Sequence, residues 1–344
     1  MSDTALEPNF SLLVKGQAID DELSALVYEI VVRRHIRLAD SFTVRMNDPE
    51  ESLLDGNDFP FGAKLEIKLG NADKMESVFI GEITAWMAMY SQEGTDFVFR
   101  GMDKSHRLRR GARFRSLKAT KDKDAPDEVL ADYELDPKAD DTKAEHTTLQ
   151  QFGLSDHAFL LDRARRIGYR LGASDGTLNF IKPTYKSSKH TARWQEHIET
   201  LDVVVELSDM PTEVTVRGWD SKKKETFSEV VTGDDLLWGQ GDATDGPAWS
   251  KKLFGKAALT LEDMQPRNAT EAKVIAAAYL QGRSEQFVRG PLTIRGTPTL
   301  EPGTTITLDR MPEPFDGAYL IQAVTHFYSE SGFLTRLELA RSGL

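Results

Sequence analysis

Seven histidines, His35, His106, His146, His157, His190, His197 and His326, are the side chains of this chain that could do acid–base work or bind a metal near neutral pH. No two have the His-Glu-x-x-His spacing that places a pair of imidazoles on one helical face. His190, His197 and Glu199 could be drawn together around a cation, but they read as solvated polar residues. Asp122-Lys123-Asp124 begins a calcium-loop rhythm that then fails: Pro126 takes the fifth position, Asp127 the turn position that needs glycine, and Tyr133 the closing position that needs glutamate. The run Gly239 to Gly246 lacks the lysine of a phosphate loop and reads as a flexible connection. Ser221 stands three residues before Lys224, but Lys222-Lys223-Lys224 reads as a charged hairpin tip. Cysteine is absent, which removes disulfides and thiolate chemistry. No catalytic, cofactor or metal residue is therefore expected.

The elements that would hold such side chains are set by composition and period. The 344 residues are 40% hydrophobic and 28% charged, enough for two or three globular units. With 43 Lys+Arg against 55 Asp+Glu, the net charge of −12 disfavours broad binding to polyanions. The basic segment Lys104 to Lys123 has no aromatic ladder among its charges, so specific nucleic-acid binding is not expected. An acidic neighbour, or the stretch Asp124 to Glu145, is its better partner. Met1 to Pro8 has no signal-peptide pattern, and Val274 to Leu280 is too short to cross a bilayer, so synthesis in the cytoplasm and no membrane anchor are expected.

From Asn9 to Gly101 the period is two, as in Leu65, Ile67 and Leu69 against Lys64, Glu66 and Lys68. Strands are expected at Phe10–Val14, Leu26–Val32, Phe42–Met46, Val78–Tyr90 and Phe97–Arg100. Asp124 to Glu145, poor in large apolar residues, reads as an exposed crossing. A helix capped by Ser155-Asp156 runs to Ile167 and is followed by a hairpin. Period two returns at Leu201–Leu207, Glu213–Gly218, Leu292–Ile294, Thr304–Leu308, Tyr319–Tyr328 and Phe333–Ala340, interrupted by a helix from about Glu271 to Gln281. The expected fold is mainly β with α+β insertions: two similar tube-type β-barrels, the second discontinuous. The expected domains are a first barrel over 1–117, an α+β insertion over 118–198, a second barrel over 199–238 and 285–344, and a linker with helical insertion over 239–284.

Two segments echo each other, Phe97-Val98-Phe99-Arg100-Gly101-Met102-Asp103 and Val214-Thr215-Val216-Arg217-Gly218-Trp219-Asp220: a strand, then Arg-Gly, any residue, and Asp. Glycine lets the chain leave the strand and Asp can accept turn amides. A looser echo links Phe79-Ile80-Gly81 with Tyr90-Ser91 to Phe315-Asp316-Gly317 with Tyr328-Ser329. Val98 to Gly111, which includes His106 and Arg107, Ser155 to Leu161, Gly168-Tyr169, Asp175 to Leu178, Val214 to Asp220, Pro302-Gly303, Phe315 to Gly317 and Val324 to Tyr328 resemble, in order, the phage late control gene D proteins and the N-terminal part of VgrG.

That resemblance implies a baseplate hub: a homotrimer whose three chains present six similar barrels, joining a hexameric tube to a trimeric spike. It implies as partners other copies of the chain, a separate spike protein, a tail tube or tube-initiator protein and baseplate wedge components. The protein would be built into a phage tail, bacteriocin or injection-system particle. Arg100, Gly101, Asp103, His106, Arg107, Arg217, Gly218, Trp219, Asp220 and Gly317 are the family-like positions, structural rather than catalytic. The alternatives are a tail-associated hydrolase, which needs paired carboxylates in a cleft, and a stand-alone β binding module.

Overall fold

The computed structural model describes residues 8–71, 74–92, 94–118, 120–174, 176–183, 189–237, 243–262 and 264–344. Leu65, Ile67 and Leu69 are fully buried while Lys64, Glu66 and Lys68 are not, so the period-two pattern becomes a strand with one wet face. The first unit consists of β1 (Pro8–Val14), β2 (Gln17–Ala18), α1 (Asp21–Leu26), β3 (Val27–His35), β4 (Leu38–Asn47), β5 (Lys64–Asn71), β6 (Lys74–Ser91) and β7 (Gly94–Met102). Phe42, Phe97 and Phe99 centre its core. A 3₁₀ turn, Lys104–Arg109, leads to β8 (Arg113–Leu117), α2 (Ala125–Leu130), β9 (Asp136–Ala139), β10 (Leu149–Leu154), α3 (Asp156–Arg166), β11 (Arg170–Ser174) and β12 (Thr177–Ile181). Next come β13 (Thr191–Arg193), β14 (Ile198–Leu201) and β15 (Val204–Val205), then β16 (Glu213–Asp220), β17 (Glu225–Thr232), α4 (Gly246–Phe254), β18 (Ala258–Leu261) and α5 (Ala269–Ser284). The chain ends in β19 (Val288–Arg295), β20 (Thr305–Asp309), β21 (Gly317–Ser329) and β22 (Gly332–Arg341).

The expected duplication is present in the strand order. The first unit runs β3-β4-β7-β6-β5-β1, and the second runs β14/β15-β19-β22-β21-β20-β13. Ranked by position in the chain, both orders read second, third, sixth, fifth, fourth, first. All of these pairings are antiparallel except β13 with β20, which is parallel. The irregularities repeat as well. A bulge falls between Ile83 and Ala85 opposite Gly101 and Arg100, and again between Ile321 and Ala323 opposite Leu339 and Glu338. A second falls between Val27 and Glu29, and again between Ile198 and Thr200. Bulges at matching points re-aim the strand twice in the same way. The units do not close separately: the outer edge of β3 pairs with β21, so both lie in one 14-stranded sheet.

Three local expectations are corrected. The stretch 124–145 is not a bare crossing, because Ala125, Val129, Leu130 and Leu135 are buried in the core that α3 also enters. Residues 213–232, expected in the second barrel, form β16 and β17 of a separate three-stranded sheet with β18; Val214, Val216 and Val231 pack there against Ala272, Ile275, Ala276 and Leu280 of α5. The tighter sequence echo therefore joins strands of different sheets. Of the run Gly239–Gly246, residues 239–242 lie outside the described residues, but its end is tied down. Thr244 exchanges backbone hydrogen bonds with Leu344, and Asp245 caps α4 by accepting from Ala248 N at 2.8 Å. Asp175 of the family-like pattern also lies outside the described residues.

Candidate functional site

The first Arg-Gly-x-Asp segment builds a buried turn where β7 leaves the first unit. A Cβ on Gly101 would stand 2.0 Å from Glu82 O and 2.3 Å from a ring carbon of Phe42, so only glycine lets β6 and β7 approach here. Arg100 is exposed beside the bulge. Asp103 is buried and starts the 3₁₀ turn by accepting from Ser105 N at 2.6 Å, and its other oxygen accepts from Asp40 N. Asp40 accepts from Arg34 Nε at 3.0 Å and from His35 N at 3.3 Å. Burial raises the Asp103 carboxyl above the usual range, against the hydrogen bonds it accepts. Burial likewise raises Asp40 to about 7, with Arg34 opposing the shift and Asp103 adding to it. Next along, Glu82 is buried and receives Arg107 through Nε at 3.0 Å and Nη2 at 2.5 Å, and lies 3.0 Å from His106 Nε2. A forked guanidinium on a buried carboxylate fixes both direction and position.

The second segment does a different job. Asp220 is half-buried at the end of β16, beside the exposed tip of the β16–β17 hairpin, accepting from Lys222 N at 2.9 Å and Lys223 N at 3.1 Å; the Lys223 amide foremost holds its carboxyl below the usual range. Gly218 leaves room for the Phe227 ring, 2.3 Å from where a Cβ would sit, while Arg217 and Trp219 are exposed. Gly317 opens β21, and just before it Arg341 Nη1 donates to Asp316 O at 2.8 Å. Asp103→Ala should therefore cost about 2 kcal/mol by leaving two amides without acceptors, and Asp220→Ala only about 0.5 kcal/mol. Urea midpoints of the two variants check this, and equal losses would contradict the assignment.

The basic segment folds back on its acidic neighbour. Lys104 meets Glu134 at 3.0 Å, Arg113 meets Asp132 at 3.4 Å, and Lys123 meets Asp141 at 3.0 Å. Deeper in the insertion, Asp156 gathers Arg115 at 2.6 Å, Arg113 at 3.1 Å and Tyr133 OH at 2.7 Å. Asp122 gathers His146 at 3.0 Å and Arg163 at 2.5 Å; burial works against its charge, but these two partners outweigh it and hold the carboxyl below its usual value. His157, near Arg109, is depressed to about 4 by burial first and by Arg109 and Arg165 after it. His197 accepts from Arg193 N at 3.2 Å rather than meeting His190 around a cation. Among the described residues no group of three or more His, Asp or Glu is placed to hold a metal ion.

A cleft of about 330 Å³ lies where the three bodies meet, lined by Arg34 and Asp40 of the first unit, Arg170 and Asn179 of the insertion, and Glu301 and Gly303 of the second unit. Arg34, Asp40 and Glu82 were not singled out in the sequence. Asp40 had a signal: Phe42, Val44 and Met46 alternate on the buried face, and Asp40 continues their phase. What this arrangement does chemically is hold strands and turns in fixed relation, through buried carboxylates that accept backbone amides and guanidinium groups.

A family model described as the Alg8 N-terminal domain matches residues 5–330. The chain belongs to this family. The family differs from the late control gene D and VgrG grouping that the motifs suggest; the fold is shared with phage tail proteins and a type VI secretion component. It is similar to the 43 kDa tail protein of prophage MuSo2 from Shewanella oneidensis, with 14% identity over 97% of this chain and 98% of that one and a TM-score of 0.74. It is also similar to the tail protein from Neisseria meningitidis MC58, with 16% identity over 97% of each chain and a TM-score of 0.70. A third similar structure is the E. coli c3393 protein, described as a type VI secretion component resembling bacteriophage T4 tail proteins; the identity is 12% over 97% of this chain and 77% of that one, with a TM-score of 0.60. No curated protein sequence gives a match. No helix among the described residues is long and apolar enough to cross a membrane.

Proposed function

We propose that this chain is a structural subunit of a baseplate hub in a contractile tail or injection system, assembling as a homotrimer that adapts a hexameric tube to a trimeric spike. The observation that carries the reading is the doubled six-strand unit with its two pairs of matching bulges. A threefold ring of chains that each carry one unit twice offers six near-equal surfaces, which is what a sixfold partner needs. The fold shared with phage tail proteins and with a type VI secretion component supports the same reading. The partners are a separate spike protein on one side, a tail tube or tube-initiator protein on the other, and wedge components around the ring. The protein is made in the cytoplasm and enters the particle by assembly. Its side chains position strands; contraction elsewhere in the particle supplies the force.

Mass in solution tests this. Light scattering should give three times the 38.5 kDa chain mass, and the assembled protein should bind its spike. A monomer at micromolar concentration with no spike binding would overturn the reading, as would a particle image without this chain on the tail axis.

A further inference from the structure

The repeat leaves one joint made and an equivalent joint unmade. Within the chain, β3 of the first unit lies antiparallel to the second half of β21, with Ile30 opposite Tyr328, Val32 opposite His326 and Arg34 opposite Val324. The first half of β21 is occupied by β20. In the first unit the counterpart of β21 is β6, whose first half, up to Glu82, is occupied by β5. From Ala85 to Tyr90 the side of β6 away from β7 has no strand among the described residues. The counterpart of β3 is β14 with β15, which pair only with β19 among the described residues. One strand edge that receives and one that inserts are therefore bare, and a chain cannot satisfy both by folding on itself, because its own joint already uses the other pair.

We infer that Leu201–Glu206 of one copy adds as an antiparallel strand to Ala85–Tyr90 of the next copy of this chain. The two sets of bulges fix the register. Val27 and Glu29 correspond to Ile198 and Thr200, and Ile83 and Ala85 correspond to Ile321 and Ala323. Transferring the internal joint places Leu201 opposite Tyr90, Asp202 opposite Met89, Val203 opposite Ala88, Val204 opposite Met87, Val205 opposite Trp86 and Glu206 opposite Ala85.

Exposure supports the transfer. Met89 and Tyr90 are 40% and 67% exposed, and Val204 and Val205 are 48% and 40% exposed. Their apolar counterparts in the internal joint, Phe327 and Tyr328, are only half-exposed, and Tyr328 is packed edge-on by Phe10 at 5.0 Å. Val32, the counterpart of half-buried Val203, is fully buried there. A bare apolar edge of this kind invites strand addition. The backbone is also aimed for it. Asp202 N donates to Pro291 O and Glu206 N to Phe287 O, so Asp202, Val204 and Glu206 face β19, while Leu201, Val203 and Val205 turn their amides outward. The contact is head-to-tail, so it propagates until it closes on itself; closure at three copies rests on the hub reading above, whereas the pairing rests on the repeat alone.

The natural absence of cysteine makes the test direct. Val204 and Met87 face each other as a non-hydrogen-bonded pair, where side chains of antiparallel strands come closest. Full-length Val204→Cys/Met87→Cys protein should oxidise to covalent species that stop at three chains and vanish on reduction. The pair Val204→Cys/Ala88→Cys, one residue out of register and on opposite faces, should stay uncrosslinked. A trimeric mass with no disulfide in the first variant, or equal crosslinking in both, overturns the pairing and leaves the hub reading intact. A disulfide ladder that stops at two chains or runs past three supports the pairing and overturns closure as a trimer. Monomer without crosslinks at any concentration overturns both.

Discussion

Gly101→Ala is expected to lower stability by about 3 kcal/mol or more, because the added methyl meets a backbone oxygen and not a movable side-chain end. The carbonyl it strikes belongs to Glu82, so relief by moving β6 also loosens the carboxylate that receives Arg107 and lies against His106. The clash and the ion-pair geometry are coupled, which is why the cost exceeds that of one misplaced methyl. Gly282→Ala in α5 serves as the internal control. Its Cβ would meet nothing within 4 Å, and replacing a helical glycine should stabilise by about 0.5–1 kcal/mol. Urea denaturation of both variants should move the midpoint in opposite directions; a Gly101→Ala midpoint equal to wild type would show that β6 and β7 are not in close register there.

Acid should weaken the joint between the two units through His326. This residue sits opposite Val32 in the joint, fully buried, with Thr335 Oγ1 at 3.1 Å from Nδ1 and the Phe333 ring 5.8 Å away. Burial foremost, and the charge of Arg34 after it, depress its pKa to about 3. The folded state thus binds the proton less readily than the unfolded one, whose imidazole titrates near 6.5. The stabilising contribution is complete above that value and is lost as pH falls toward 3. Asp40 acts in the opposite sense: raised to about 7, its carboxyl favours the folded state when protonated, and that contribution is lost as pH rises through about 7. Comparing wild type with His326→Gln separates the two. Between pH 7 and pH 4 the wild type should lose about 2–4 kcal/mol relative to the variant, read from urea midpoints across the range. Parallel curves for the two proteins would remove His326 as the source.

Much of the sheet could be read from alternation, because a half-buried strand writes its buried face directly into every second residue. The strands around Leu65 to Leu69 and Tyr319 to Tyr328 show this, while α3 behind its Ser155 cap and α5 are legible from apolar residues at helical spacing. The repeat was legible only in part. Tyr90-Ser91 and Tyr328-Ser329 do end corresponding strands, whereas the Arg-Gly-x-Asp match was a coincidence of turn chemistry: the same residues serve a buried 3₁₀ start at Asp103 and an exposed hairpin tip beside Asp220. What the sequence hides is pairing between distant strands. Nothing near Val27–His35 announces that its outer neighbour is Gly317–Ser329, and nothing in Glu213–Thr232 tells a strand of the large sheet from one that leaves it to pack on a helix. β8 with β10 has weak patterning and is maintained by packing of Leu117 and Leu149 in the insertion core, whereas the short helices α1 and α4 carry their signal only in the caps Asp20 and Asp245.

The pairing of Glu29 with Ser329 also has a consequence during synthesis. The first unit emerges from the ribosome with one flank of β3 uncovered, and the segment that covers it is translated only after the whole insertion and most of the second unit. At roughly 5–20 residues per second, that flank waits about 15–60 s. Messages cut short before β21 would release the first unit with that flank of β3 uncovered.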